Sequence, residues 1–172
     1  YQAGLVSTAR PRADNGSDYL YAFTYGYVEA RLKVPASRGI FTAFWMLPAS
    51  SNYSYNEEID ILEMLGGNTD TAFMTYHYNG RGSHHYINRG DNNNGACAVK
   101  EYSTAFSTFG VDWQPGYIAW YIDGVKCGQF TGTTAASKMF LILNLMVDNQ
   151  WERDWGLTTQ NNPTDQLEVD YI

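Results

Sequence analysis

This chain lacks any apolar run approaching the roughly 18 residues that a membrane-spanning helix requires. It is also poor in basic residues: 11 Lys and Arg stand against 18 Asp and Glu, for a net charge of −7. Nucleic acid, which is gripped through a basic footprint, is therefore disfavoured as a partner. No basic stretch followed by an apolar segment opens the sequence, so any export signal is expected to be already removed or never part of this sequence. No repeat or linker divides it, and no stretch keeps a 3.6-residue period for about ten residues. What is present is 172 residues, enough for one domain that buries most of its apolar surface. Aromatic side chains make up 16% of it, with 14 Tyr and 5 Trp, which suits strands better than helices.

Segments 18–34, 40–47, 57–64, 71–78, 108–113, 117–122, 125–131, 138–146 and 166–172 alternate or run apolar and read as strands. Asn79-Gly80, Asp123-Gly124 and Gly66-Gly67-Asn68 mark turns between them. Many short strands with turns imply an all-β antiparallel sandwich or barrel. Stretches 49–56 and 79–97 read as long polar loops that rim a cleft.

The chemistry concentrates in Asn56-Glu57-Glu58-Ile59-Asp60-Ile61-Leu62-Glu63. On a strand, Glu58 and Asp60 point one way while Ile59 and Ile61 point into a core. Strict alternation would put Leu62 beside the acids. One extra residue, a β-bulge, returns Glu63 to their face, and bulges collect beside active sites. Acids crowded on one face repel each other, so they imply either a cation such as Ca²⁺ or a reaction that uses a carboxylate and a carboxylic acid together. Retaining glycoside hydrolysis is such a reaction, with its two carboxyl groups about 5–5.5 Å apart. A regular strand would separate i and i+4 by roughly 13 Å. Bulge, twist and the lean of long Glu side chains must therefore shorten that distance.

The motif Glu-Ile-Asp-Ile-Leu-Glu resembles the signature of glycoside hydrolase family 16, in its form with two residues between the Asp and the second Glu. Tyr25-Gly26-Tyr27-Val28-Glu29-Ala30-Arg31-Leu32-Lys33-Val34-Pro35 and Gly39-Ile40-Phe41-Thr42-Ala43-Phe44-Trp45-Met46-Leu47-Pro48 are similar to two further blocks of that family. So are the stretches Phe109 to Gly124, Leu141 to Leu145, and Val169-Asp170-Tyr171. The resemblance implies a β-jelly-roll sandwich with the acids on the concave face of one sheet. It implies that Glu58 is the nucleophile, Glu63 the acid/base, and Asp60 the group that orients and tunes Glu58. Residues 1–172 would form a single catalytic domain, shortened at both ends relative to the family pattern. The implied substrate is a neutral β-1,3-glucan, with mixed-linkage β-1,3-1,4-glucan left open by the lichenase-like segment from Asp112 to Ile118. A transglycosylase and a lectin-like glucan-binding module are the rival readings. No cofactor is required for the chemistry; a structural Ca²⁺ is conceivable, with Asp170 at the expected place. The protein is expected to be a secreted monomer.

Sugar-binding candidates follow from the same resemblance. Trp45 would be a stacking platform, unless it is a core residue. Glu29 and Arg31 share a strand face and would contact sugar, unless they form an exposed ion pair. His77 would sit near the scissile bond, unless its role is structural. Asn144, polar in an apolar strand, must find hydrogen bonds, and Trp151 or Trp155 would add an aromatic contact. Trp113 and Trp120 read as core or cleft floor, and His84 and His85 receive no role. Cys97 and Cys127 are either a disulfide, which would place the protein outside the cytoplasm, or two buried thiols.

Overall fold

The computed structural model describes residues 3–11, 17–50, 57–78, 82–88, 97, 99–147, 149–158 and 165–172, with the side chains of residues 11, 17, 84 and 87 left aside. The strands are β1 (Gly4–Ser7), β2 (Ala9–Pro11), β3 (Ser17–Tyr19), β4 (Gly26–Lys33), β5 (Ile40–Pro48), β6 (Glu57–Leu65) and β7 (Phe73–Tyr78). They continue with β8 (Gly82–Ile87), β9 (Ser107–Gln114), β10 (Tyr117–Ile122), β11 (Val125–Thr131), β12 (Met139–Val147) and β13 (Glu168–Tyr171). One short helix, α1 (Gln150–Asp154), follows β12. A six-stranded sheet runs β1-β12-β5-β6-β7-β8, a five-stranded sheet runs β11-β10-β9-β4-β13, and β2 and β3 form a separate pair. Every ladder is antiparallel. The expected jelly-roll sandwich is the fold.

Alternation explains which face each strand buries. Phe44, Ile59, Met74 and Leu141 of the first sheet meet Leu32, Phe109, Val111 and Trp120 of the second in one buried core. Each of these side chains contributes about 1.5–3 kcal/mol by leaving water. The outer face of the six-stranded sheet holds a second, smaller cluster of Phe41, Ala43, Leu65 and Leu157. Two sheets with one buried face each leave two outer faces, and the outer face of the six-stranded sheet carries this apolar cluster beside the acids of β6. The Asp123-Gly124 turn joins β10 to β11 with φ of 49° and 75°. That is the type I′ geometry whose twist matches a two-residue hairpin.

Several expectations need correction. The span 18–34 is not one strand: Tyr25 has a φ of 62°, a left-handed value that breaks an extended run, so β4 starts only at Gly26. The stretch 79–97 is not all loop, because β8 pairs along β7. The N-terminal residues, given no strand by alternation, supply β1 against β12 and β2 against β3. Helix α1 is too short for periodicity to reveal; Asn149 caps it by accepting from the Glu152 amide at 2.8 Å. The Asn79-Gly80 turn, most of loop 49–56, and the rest of loop 79–97 short of Cys97 lie outside the described residues. Cys97 and Cys127 are joined as a disulfide, tying the segment after β8 to β11.

Candidate active site

The acidic strand β6 is bulged where the sequence required it. Glu63 pairs with Ala43, Leu62 with Phe44 and Asp60 with Trp45, so Ile61 is the extra residue against β5. The register against β7 slips at the same place, with Asp60 opposite Thr75 and Glu63 opposite Phe73. Ile61 and Leu62 therefore both enter the core, together with Ile59 and Met64. Glu58, Asp60 and Glu63 consequently share the outer face. The bulge adds one residue to the strand, and that single residue decides which side Glu63 faces.

Electrostatics separates the three acids. Asp60 is 2% exposed, and this burial, the charge of Glu58 and a hydrogen bond shared with Glu58 push its carboxyl well above the ordinary range. Burial and then the charges of Asp60 and Glu58 raise Glu63 to about 8, with His77 opposing the shift. Like charges crowded on one face favour keeping protons on, which is the direction in which both Asp60 and Glu63 move.

His77 lies opposite Glu58 on β7. Its Nε2 is 3.1 Å from Asp60 Oδ2, and its Nδ1 is 2.7 Å from Ser83 Oγ on β8. Glu58, Asp60 and His77 present one ligand atom each, all within 4.8 Å of one another. Such a set could hold a cation, yet a hydrogen bond between Asp60 and Glu58 already accounts for their closeness.

Trp45 and Asn144 flank the acids on the same face. The indole nitrogen of Trp45 donates to Asn144 Oδ1 at 2.7 Å, which fixes the ring plane. Trp45 is half-buried and packs on the outer-face cluster rather than the inter-sheet core. Asn144 is 6% exposed, and its Nδ2 has no hydrogen-bond partner among the described residues. Trp151 and Trp155 lean onto Phe73, with ring centroids 4.8 and 5.6 Å away and the rings edge-on. Both tryptophans are thus on the acids' side of the sheet, and Phe73, opposite Glu63, is the residue that anchors them.

Glu29 and Arg31 do not join this site. They point outward from β4, in the five-stranded sheet, because Ala30 and Leu32 take the core face. Glu29 accepts from the hydroxyls of Tyr27 and Tyr171, each at 2.8 Å, and Arg31 pairs with Asp170 at 2.6 Å. The same pairing engages the carboxylate of Asp170 with a guanidinium, an arrangement opposite in charge logic to a Ca²⁺ ligand. Trp113 and Trp120 are fully buried in the core.

Sequence reasoning passed over Phe73, Ser83 and His85. His85, given no role by sequence, has Nδ1 3.1 Å from Thr75 Oγ1, and its ring meets that of His77 at 5.9 Å. The available signal was the Asn79-Gly80 turn, which calls for a strand to return beside β7 and bring alternate residues 83 and 85 onto the acids' face.

Comparison with known proteins agrees with this geometry. Residues 14–172 match the sequence model described as Glycosyl hydrolases family 16. The chain is 33% identical over 159 residues to an endo-1,3-1,4-beta-glycanase of Rhizobium meliloti, covering 83% of this chain and 32% of that protein. It is 35% identical over 144 residues to a beta-glucanase of Paenibacillus polymyxa, covering 82% and 56%. It thus spans from about a third to just over half of these relatives' lengths. The laminarinase from Rhodothermus marinus shares the fold, with a TM-score of 0.75, 24% identity, and coverage of 96% of this chain and 74% of that one.

Proposed function

The chain belongs to family 16 of the glycosyl hydrolases, and from that membership we propose that it is a retaining, endo-acting glucanase that cleaves β-1,3-glucan. The observation that carries the reading is the bulged strand β6, with Glu58, Asp60 and Glu63 on one face and Glu63 held protonated to about 8. A carboxyl that keeps its proton at neutral pH is what a general acid needs. In the proposed double displacement, Glu58 attacks the anomeric carbon while Glu63 gives its proton to the departing glycosidic oxygen. Glu63, now ionised, then takes a proton from water as that water attacks the glycosyl-enzyme and releases Glu58. Asp60 donates a hydrogen bond to Glu58 and orients it. Trp45 supplies the platform for a sugar face, and the spare Asn144 amide supports a role as a hydroxyl contact. The chemistry asks for no cofactor.

Mixed-linkage glucan is the second reading, favoured by the named activity of the Rhizobium meliloti relative. The Cys97–Cys127 bond supports a location outside the cytoplasm, where disulfides persist. Two measurements test the proposal. Reducing-sugar release from laminarin and lichenan should vanish in Glu58→Gln, and the ratio of the two rates should rank the substrates. With azide added, Glu58→Ala should yield an α-glycosyl azide and Glu63→Ala a β-glycosyl azide. The reverse stereochemistry would exchange their roles, and binding of glucan without any release by the unmodified chain would overturn the enzyme reading.

A further inference from the structure

Strand β8 contributes a group to the site that the reaction above does not use. Ser83 is exposed on this edge strand, directly opposite His77 in the β7–β8 ladder. Its Oγ lies 2.7 Å from His77 Nδ1, and the other ring nitrogen of His77 lies 3.1 Å from Asp60 Oδ2. Asp60 in turn shares a hydrogen bond with Glu58. A line of close contacts thus runs from a solvent-facing hydroxyl through an imidazole to the buried acid and on to Glu58; the His77–Asp60 step is a short contact, since Asp60 Oδ2 has no hydrogen-bond partner among the described residues.

We propose that Ser83 is a positioning residue: its hydroxyl fixes the tautomer and tilt of His77, so that Nε2 stays on Asp60 and the ring stays among the acids. The inference rests on the glucanase reading for its kinetic consequence, though not for its structural one.

The physical argument is that an imidazole has two distinguishable nitrogens. The hydrogen bond made by one decides whether the other donates or accepts. A ring held only by the short Nε2 contact to Asp60 Oδ2, which lacks a hydrogen bond, would rotate and sample both tautomers. Ser83 anchors the second nitrogen. The groups facing His77 among the described residues are Glu58, Asp60 and Glu63 from β6 and His85 from β8, whose ring is 5.9 Å away and edge-on. His85 is itself held at Nδ1 by Thr75, so each histidine of this pair has a hydroxyl of the neighbouring strand on one nitrogen.

Ser83 is exposed on an edge strand, and its loss is not expected to impair folding. The first test is ring ¹⁵N NMR of His77 at neutral pH in the unmodified chain, Ser83→Ala and Ser83→Thr. One tautomer is expected in the unmodified chain and in Ser83→Thr, and nitrogen shifts averaged between tautomers in Ser83→Ala. Identical shifts in all three would overturn the proposal, whatever the enzyme activity. The second is steady-state kinetics on laminarin: in Ser83→Ala kcat should fall with little change in KM, with restoration in Ser83→Thr. An unmoved kcat would equally overturn it. A tautomer change in a chain without hydrolytic activity would sustain the positioning role and count only against the glucanase reading.

Discussion

The indole nitrogen of Trp120, in the five-stranded sheet, donates to the backbone oxygen of Asp60, in the six-stranded sheet, at 2.8 Å. Asp60 is where β6 slips register against both neighbours, and bulges leave backbone groups without ladder partners. A fully buried ring in one sheet thus satisfies the bulge of the other and pins the strand that carries the acids.

Trp120→Phe keeps most of the ring and removes the donor. A buried carbonyl without its partner costs about 1–3 kcal/mol, so the midpoint of thermal unfolding should fall and kcat should fall with it. Equal stability and unchanged kcat would show that the bulge holds its shape without this bond.

The Glu63 carboxyl, at about 8 in the folded chain against an ordinary value of 4.5, binds a proton in the folded state that the unfolded state has lost. Between those values the folded state carries more protons, so stability falls as pH rises through this window. Asp60, also raised, acts in the same direction. Unfolding midpoints should be higher near pH 5 than near pH 8, and Glu63→Gln should flatten the difference. The same proton defines the alkaline limb of activity, and at the pH optimum Glu63→Gln should lower kcat by about 10²–10⁴-fold.

Trp45→Phe retains an aromatic platform but strands Asn144 Oδ1, whereas Trp45→Ala removes the platform as well. We expect Trp45→Phe to cost about 1–3 kcal/mol of stability with a modest rise in KM for laminarin. Trp45→Ala should raise KM much further. A KM that tracks stability alone would make Trp45 a support rather than a sugar contact.

Reduction of Cys97–Cys127, which closes a loop of sequence separation 30, should lower stability by about 3–4 kcal/mol in the chain-entropy account. Denaturant midpoints measured with and without a thiol reductant, and with Cys127→Ser as control, would read this directly.

The bulge in β6 was legible because Glu58, Asp60 and Glu63 break the period of two by one residue, and only a bulge reconciles them. Glu29 and Arg31 show the opposite case. Alternation correctly gave them a common face but could not say which sheet that face belonged to. Strand β8 escaped for a different reason: its Ser83 and His85 lie on a polar face, so apolar alternation, the signal that marks the other strands, is weak there.

The sequence by itself determined the fold class, the strands with a buried face, the one-sided array of acids and the family. Each of these depends on local periodicity or on residues adjacent along the chain. Only the tertiary structure decided which outer face is the site, that Arg31 pairs with Asp170 and Glu29 with Tyr27 and Tyr171 on the far side, that Trp120 reaches the acidic strand, and that Ser83 and His85 reach His77 and Thr75 on the strand beside it. Those facts rest on strand order and register between segments remote in sequence, and the spacing of side chains along one strand carries no record of which strand will lie beside it.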